Sequence, residues 1–286
     1  MGRPEGGFMT LFVVATPIGN LEDVSARTRR TLADVAVIAC EDTRRTGKLL
    51  ELLGVPRSEF VRVDAHTEAT RGARLIERLL AGEDVALVSD AGTPAVSDPG
   101  EALVRAAIEA GIEVIAIPGP SASLAALVVS GLPTDRFVFE GFLPRKGRAR
   151  ADRIGGVASS SCTSILFESP KRLRATLVEL GNACDAERPI AVCRELTKLH
   201  EQVVRGTIAQ VIEMFDTDPR GEVVIVVGPA PPEDAKGDSE IVTALEQRRA
   251  LGLDRRSAVV VVTSDFRIGR RRVYDLALEL DWDPTH

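Results

Sequence analysis

Apolar residues in the first half of the chain fall into short β-branched blocks, each followed by polar punctuation and then by a stretch with helical spacing. The blocks at residues 11–16, 35–40, 85–89 and 114–117 have the length and composition of buried strands. Amphipathic stretches at 26–34, 67–81, 101–110 and 121–130 predict helices, and Gly111 and Gly131 are placed to end two of them. This alternation predicts α/β layering. Beyond Pro133 the apolar blocks continue at 137–140, 164–167, 190–193, 202–204 and 223–227, with less regular spacing and hairpin-like pairs. That change predicts a mixed sheet and a second domain, joined to the first near 118–133. The segment PAPPEDAKGD at 229–238 has too little apolar surface to bury and reads as a linker. Three short helices are expected after it, at 241–251, 255–263 and 269–280. The run VVVVTSDF in the middle one is rich in β-branched residues, so that helix is expected to be short or frayed. The expected organisation is an α/β domain over 9–118, a second α/β domain over 119–230 and a helical module over 239–286.

Composition agrees with this division. The chain has 286 residues, more than a usual single domain, and its 44% hydrophobic content can build more than one core. A net charge of −6 excludes indiscriminate coating of nucleic acid, so any contact with phosphate must come from local patches. Cys40, Cys162, Cys184 and Cys193 are widely spaced, with no C-x-x-C pair to suggest zinc or redox chemistry. No apolar run reaches 18 residues and no charged-then-apolar signal pattern opens the chain, which leads to the expectation of a cytoplasmic protein without membrane contact. Residues 1–7 read as a disordered leader.

Ligands of open α/β sheets sit at the carboxyl ends of strands, so the loops after the apolar blocks are where chemistry is sought. Four stand out: Pro17-Ile18-Gly19-Asn20, Asp90-Ala91-Gly92-Thr93-Pro94, Pro118-Gly119-Pro120-Ser121-Ala122 and Glu168-Ser169-Pro170. None spells G-x-G-x-x-G or the Walker A pattern, which argues against dinucleotide and nucleoside triphosphate binding. Small residues let backbone groups approach a flat base and ribose, and the Asp90 carboxylate can accept hydrogen bonds from ribose hydroxyls. A single such loop reads as ordinary turn punctuation; four of them after strands point to a site.

Six segments carry a resemblance: VATPIGNLEDVS (14–25), EDTRRTGKLL (41–50), ALVSDAGTPAVSDPG (86–100), IPGPSASLAALVVSGLPTDRFVFEGFLPRKG (117–147), FESPKRL (167–173) and RELTK (194–198). In this order they resemble the ribosomal RNA 2′-O-methyltransferases of the tetrapyrrole methylase superfamily. The resemblance implies a two-domain α/β fold with S-adenosylmethionine in the cleft between domains, a homodimer, and 2′-O-methylation of a cytidine in 16S ribosomal RNA, as part of an assembled small subunit. It carries the cofactor segments over to Pro17, to Asp90, Ala91, Gly92, Thr93 and Val96, to Ser121 and Ala122, to Phe167 and Glu168, to Leu196 and Thr197, and to Gly221 and Glu222. The tail, clearest at RRRVYDLALEL (270–280), resembles the helix-turn-helix-like module of the same enzymes. Two departures stand out: Thr67 where the family usually has Asn, and Lys171 where it usually has His.

Methyl transfer to a hydroxyl needs an aligned donor and a group that takes the departing proton. His66, Glu168 and Glu195 are the catalytic candidates, with Glu41 and Asp42 also eligible by type, although Arg44 and Arg45 beside them suggest a structural ion pair. RNA contacts are expected from two basic islands. Arg136, Arg145, Lys146, Arg148, Arg150 and Arg153 face only Glu140 and Asp152; Arg248, Arg249, Arg255, Arg256, Arg267, Arg270, Arg271 and Arg272 face only Asp254 and Asp265. Phe142, beside the first island, is the aromatic placed for stacking on a base. Two alternatives remain at this point: a methyltransferase for a small tetrapyrrole, which needs neither island, and a non-catalytic RNA-binding assembly protein.

Overall fold

The computed structural model describes residues 9–64, 67–215, 219–231, 237–266, 270–280 and 282, with Glu68 and Ala69 described by backbone only. Five strands build the first sheet: β1 (Thr10–Val14), β2 (Val37–Cys40), β3 (Glu59–Arg62), β4 (Val85–Val88) and β5 (Glu113–Ile117). Their order is β3-β2-β4-β1-β5 and every pairing is parallel. A parallel sheet needs crossovers that bury both its faces, which is why its strands read as unbroken apolar blocks. The crossover helices are α1 (Ala26–Asp34), α2 (Thr43–Leu53), α3 (Glu68–Leu80) and α4 (Glu101–Glu109). Leu32 and Leu50 from α1 and α2 pack on Ile38, Cys40, Ala86 and Val88. On the other face Leu75, Leu79, Leu103 and Ala107 from α3 and α4 pack on Val37, Ala39, Val85 and Leu87. In-register pairing of Val14 with both Val88 and Ile117 ends three strands at one level, so the loops that follow them meet.

The second sheet is mixed, in the order β6-β7-β10-β8-β9, from β6 (Phe137–Phe142), β7 (Thr163–Glu168), β8 (Pro189–Arg194), β9 (Gln202–Thr207) and β10 (Val223–Val227). Only β6 and β7 run parallel; β8 and β9 form a hairpin. One face is covered by α6 (Arg148–Ser159), α7 (Leu173–Ala183) and α8 (Ile208–Met214), the last started by a Thr207–Gln210 capping box. The opposite face takes α5 (Ala122–Ser130), whose Ala126 and Leu127 pack with Ile165, Ala191, Val224 and Val226. Ile18, from the loop after β1, lies in this same cluster. The first sheet's loop is therefore anchored in the second sheet's core.

Three helices follow: α9 (Asp238–Ala250), α10 (Arg255–Phe266) and α11 (Arg270–Glu279), around Ile241, Leu245, Val259, Val262 and Val273. The expectation of a short or frayed central helix is corrected: α10 runs for 12 residues. Four consecutive valines lose roughly 0.5 kcal/mol each relative to alanine in a helix. Complete burial of Val259 and Val262 contributes about 3 kcal/mol or more, which wins.

Arg188, 3% exposed, sits just before β8 and pairs with no carboxylate among the described residues. Its guanidinium donates to the carbonyls of Val157 (3.0 Å), Ala158, Ser160 (3.3 Å) and Gly228 (2.8 Å), tying the end of α6 to the end of β10. A cation at a helix C-terminus also meets the negative end of the helix dipole. Arg188→Met keeps the bulk and orphans these carbonyls; its unfolding free energy in urea is expected to fall by about 3 kcal/mol. A loss under about 1 kcal/mol would show that water replaces the guanidinium without penalty.

Candidate functional site

The site grows from backbone contacts between loops. Thr16 and Gly92 exchange both backbone hydrogen bonds (2.9 and 3.1 Å), joining the loops after β1 and β4. Thr16 Oγ1 donates to the Ser89 carbonyl at 3.2 Å, and Thr93 Oγ1 donates to the Pro120 carbonyl at 3.3 Å, adding the loop after β5. Gly92 has φ +81°, and a Cβ there would stand 3.3 Å from Ile18 Cγ2. From the other sheet, the loop after β8 comes so close that a Cβ on Gly19 would lie 2.4 Å from Lys198 Cγ. Among the described residues, four non-glycine positions hold left-handed backbone, Ala95 and Ser97 in one loop and Glu195 and Thr197 in the other. Such conformations are unfavourable for L-residues and persist only where surrounding contacts impose them.

Between these loops lies a cavity of about 390 Å³, within the range that holds a small molecule. Asp90, Ala91, Gly92, Thr93, Val96, Ser121, Ala122, Phe167, Glu168, Leu196, Gly221 and Glu222 line it together. Pro17, Glu195 and Thr197 are neighbours in sequence of lining residues rather than lining residues themselves, and His66 lies outside the described residues. The sequence did not single out Arg45, Ser97, Asp98, Ser123, Cys193, Val223 or Val224 as site residues, and they complete the wall with Ile18, Phe142, Ser169 and Pro170. The rule that sites sit at strand carboxyl ends could have found Cys193 and Asp98; only the fold reveals Arg45, which comes from α2. Phe167 is flanked edge-on by Phe139 and Phe142, with ring centroids 4.9 and 5.5 Å away, so one side of the cavity is aromatic.

The carboxylates around this cavity are not equivalent. Glu168, with a side chain only 1% exposed, receives Thr176 Oγ1 (2.6 Å) and its own neighbour's Ser169 N–H (2.8 Å), with Arg172 at 3.4 Å and Arg150 at 3.9 Å. Its oxygens are committed to holding the end of β7 on α7. Glu195 accepts from Lys198 Nζ (2.7 Å) and the Glu222 N–H (2.9 Å); the lysine first, then the backbone donor, hold its pKa below the usual carboxylate range. Asp90 pairs with Arg45 (3.1 Å) and accepts the Asp42 N–H (3.3 Å). Asp42 itself caps α2 through the Arg44 N–H, which lowers its pKa. Glu41 and Asp98 go the other way. Burial raises both, and the Asp90 charge adds to the rise at Glu41, as the Glu41 charge does at Asp98, which is pushed up to about 6. Burial likewise pushes the Cys193 thiol up to about 11. The site thus contains one neutral thiol and carboxylates of both low and high proton affinity.

Arg145, Lys146 and Arg148 are exposed at the start of α6, beside an exposed Phe142. The first basic island is smaller than its residue count suggests, and two members are corrected. Arg150 is 6% exposed and bonded to Glu179 (2.7 Å), Thr176 and the Pro144 carbonyl, while Arg153 pairs with Glu140. In the tail Arg270 and Arg271 are exposed, Arg248 and Arg272 pair with Asp265 and Asp238, and Arg267 lies outside the described residues.

Two layered sheets with a cleft roofed by loops from both define a methylase of the tetrapyrrole type, and the family profile of Tetrapyrrole (Corrin/Porphyrin) Methylases matches residues 10–212. The chain belongs to this family. Solved structures share its fold: diphthine synthase (17% identity, TM-score 0.60, covering 77% of this chain and 89% of that one) and uroporphyrin-III-C-methyltransferase from Thermus thermophilus (23%, TM-score 0.53, covering 77% and 94%). Relatives that match nearly end to end bear the name Ribosomal RNA small subunit methyltransferase I. The Synechocystis protein is 47% identical over 276 residues, 96% of this chain and 99% of its own. The Mycobacterium tuberculosis protein is 40% identical over 271 residues, 94% of each.

Gly221 has φ +97°, and a Cβ on it would fall 2.3 Å from Glu195 Cδ. Gly221→Ala is expected to cost about 1–2 kcal/mol, part from backbone strain and part from pushing Glu195 off the Glu222 N–H. A double-mutant cycle with Glu195→Ala separates the two: Glu195→Ala should cost less in the Gly221→Ala background than alone. Additive losses in thermal unfolding would rule out this contact as the reason for glycine.

Proposed function

We propose that this chain is an S-adenosylmethionine-dependent methyltransferase that methylates a cytidine ribose 2′-hydroxyl in 16S ribosomal RNA, within an assembled small subunit. The observation that carries the reading is the cavity lined by Asp90, Gly92, Ser121, Phe167 and Glu222 from four separate loops or strand ends, in a chain matched nearly end to end by relatives named as small-subunit ribosomal RNA methyltransferases. The alternative of a small tetrapyrrole substrate draws on the family's name and the fold of its neighbours; the names of the relatives that share 40% or more of the sequence do not favour it.

The cavity fits the cofactor by its chemistry. Gly92, lacking a Cβ, lets a flat group reach the loop backbone; Ile18, Val96, Leu196, Phe167 and Val224 supply an apolar surface for a base; Asp90 can accept from ribose hydroxyls. Ala91, Thr93, Ser121, Ala122, Gly221 and Glu222 would complete its contacts, with Pro17 and Thr197 supporting the wall. When bound, S-adenosylmethionine supplies an electrophilic methyl group on a cationic sulfur. The protein's part is alignment, exclusion of water by the aromatic and aliphatic wall, and acceptance of one proton. Glu168 and Glu195 serve here as positioning groups, since their oxygens are occupied by Thr176 and the Ser169 N–H and by Lys198 and the Glu222 N–H.

RNA is held by Arg145, Lys146 and Arg148 around the start of α6, near Phe142 of the cavity wall, and by Arg270 and Arg271 on the helical module. Exposed apolar residues on α5 (Leu124, Val128) and β6 (Phe137, Val138) support a homodimer that covers them. No helix among the described residues is long and apolar enough to cross a membrane. The proposed substrate places the enzyme in the cytoplasm, where small subunits are assembled.

Labelled cofactor incubated with small subunits from cells lacking the enzyme is expected to yield 2′-O-methylcytidine in 16S ribosomal RNA after nuclease digestion; incorporation into a porphyrin or corrin but not RNA would replace this reading. Asp90→Ala should weaken cofactor binding in calorimetry by tenfold or more, about 1.4 kcal/mol, and an unchanged affinity removes Asp90 from the contacts. Replacing Arg145, Lys146 and Arg148 together with Gln should weaken RNA binding and flatten its salt dependence, by roughly 0.7–0.9 in log-log slope for each phosphate no longer neutralised.

A further inference from the structure

A methyltransferase acting on a hydroxyl needs a proton acceptor at the reacting oxygen, because a neutral hydroxyl is a poor nucleophile. Four of the carboxylates beside the cavity are already engaged. Glu168 and Glu195 hold the contacts described above, Asp90 is paired with Arg45, and Glu222 accepts from Lys198 at 3.0 Å. Asp98 differs. It lines the cavity, and among the described residues the groups that act on it are the Ser89 hydroxyl and the carboxylates Glu41 and Asp90.

Its position is imposed from both sheets. The preceding residues Ala95 and Ser97 are held left-handed (φ 64° and 62°), and Ser97 Oγ packs where a Cβ on Gly141 would stand, 2.9 Å away. Gly141 has φ +61° and follows a register shift in the β6–β7 pairing. A bulge in the second sheet thus makes room for the turn that delivers a carboxylate from the first. Left-handed backbone at two non-glycine positions of a loop whose Ser97 and Asp98 line a cavity is the kind of strain found at functional sites.

From this geometry, and resting on the methyltransferase reading, we propose that Asp98 is the catalytic base that takes the proton of the ribose 2′-hydroxyl. As the oxygen–methyl bond forms and the methyl–sulfur bond breaks, the sulfur keeps the bonding pair and becomes a neutral thioether; the hydroxyl proton moves to an Asp98 oxygen and then to solvent. The electrostatic surroundings support the role. Burial first, then Glu41 from the end of β2 and Asp90 from the end of β4, raise the proton affinity of Asp98 from 3.8 to about 6, against the Ser89 hydrogen bond that lowers it. Arg45 of α2 lines the same cavity, bonded to Asp90; it and Arg62 of β3 lower the proton affinity of Glu41, and Asp64, just after β3, raises it. A base with this affinity is ionised at neutral pH and still binds a proton usefully.

The test uses the full-length protein, small subunits lacking the modification and saturating cofactor. Asp98→Asn should slow single-turnover methylation by about 10²–10⁴-fold while cofactor affinity in calorimetry stays within about twofold. The unmodified protein should lose rate as pH falls through about 6, and this limb should vanish in the variant. Asp98→Glu should recover part of the rate. A readout independent of turnover comes from linkage: a carboxyl raised in the folded state makes the native protein lose stability as pH rises from about 4 to about 6. Asp98→Asn should therefore melt higher than the parent at pH 8, by a margin that shrinks toward pH 4. Full activity of Asp98→Asn, or a rate loss matched by an equal loss of cofactor affinity, overturns the inference while leaving the methyltransferase reading in place. No methylation by the unmodified protein overturns both.

Discussion

The site exists because two sheets approach each other at positions that carry no Cβ. Gly19 admits Lys198 and Thr197 from the second sheet's loop, and Gly141 admits Ser97 from the first sheet's loop, at distances where any side chain atom would collide. Ile18, between these contacts, is buried in the second sheet's core, so the loop after β1 belongs structurally to both halves. With this interlock in place, the enclosing walls of the cavity follow: Gly92 and Asp90 are fixed through Thr16, the loop after β5 through Thr93, and the aromatic wall through Phe167 between β6 and β10. A cavity built this way is preorganised, since its shape is held by backbone contacts rather than by a ligand.

Charge is distributed by the same packing. Among the acidic groups around the cavity, neighbours separate the roles that residue type leaves undivided. Thr176 and arginines occupy Glu168, Lys198 occupies Glu195, and Arg45 occupies Asp90. Asp98 is buried beside the like charges of Glu41 and Asp90, and burial first, then those charges, raise its proton affinity against the Ser89 hydroxyl that lowers it. Arginine is sorted similarly. Arg188 and Arg150 are interior ties between helices and strand ends, whereas Arg145, Arg148, Arg270 and Arg271 remain in solvent, where counterion release on meeting phosphate is available to them. An acidic chain with such exposed clusters favours a partner that presents phosphates in a fixed shape over one bound by net charge.

The sequence alone determined the order and type of most elements in the two sheets, because burial on two faces or one leaves a period-2 or continuous apolar trace within five or six residues. It also marked the loops after β1, β4, β5 and β7, since small residues there are needed by backbone geometry that is itself local. What only the tertiary structure decided depends on partners far along the chain. That Arg150 is buried against Thr176, 26 residues away, while Arg148 is exposed, that α10 is a full helix despite four valines, that Ala95 and Ser97 hold left-handed backbone, and that Asp98 is buried near Glu41 are set by desolvation and pairing between distant parts of the chain or by the packing of whole helices. Periodicity records which face of an element is buried. It carries no record of what stands opposite, and the chemistry of this cleft is decided by what stands opposite.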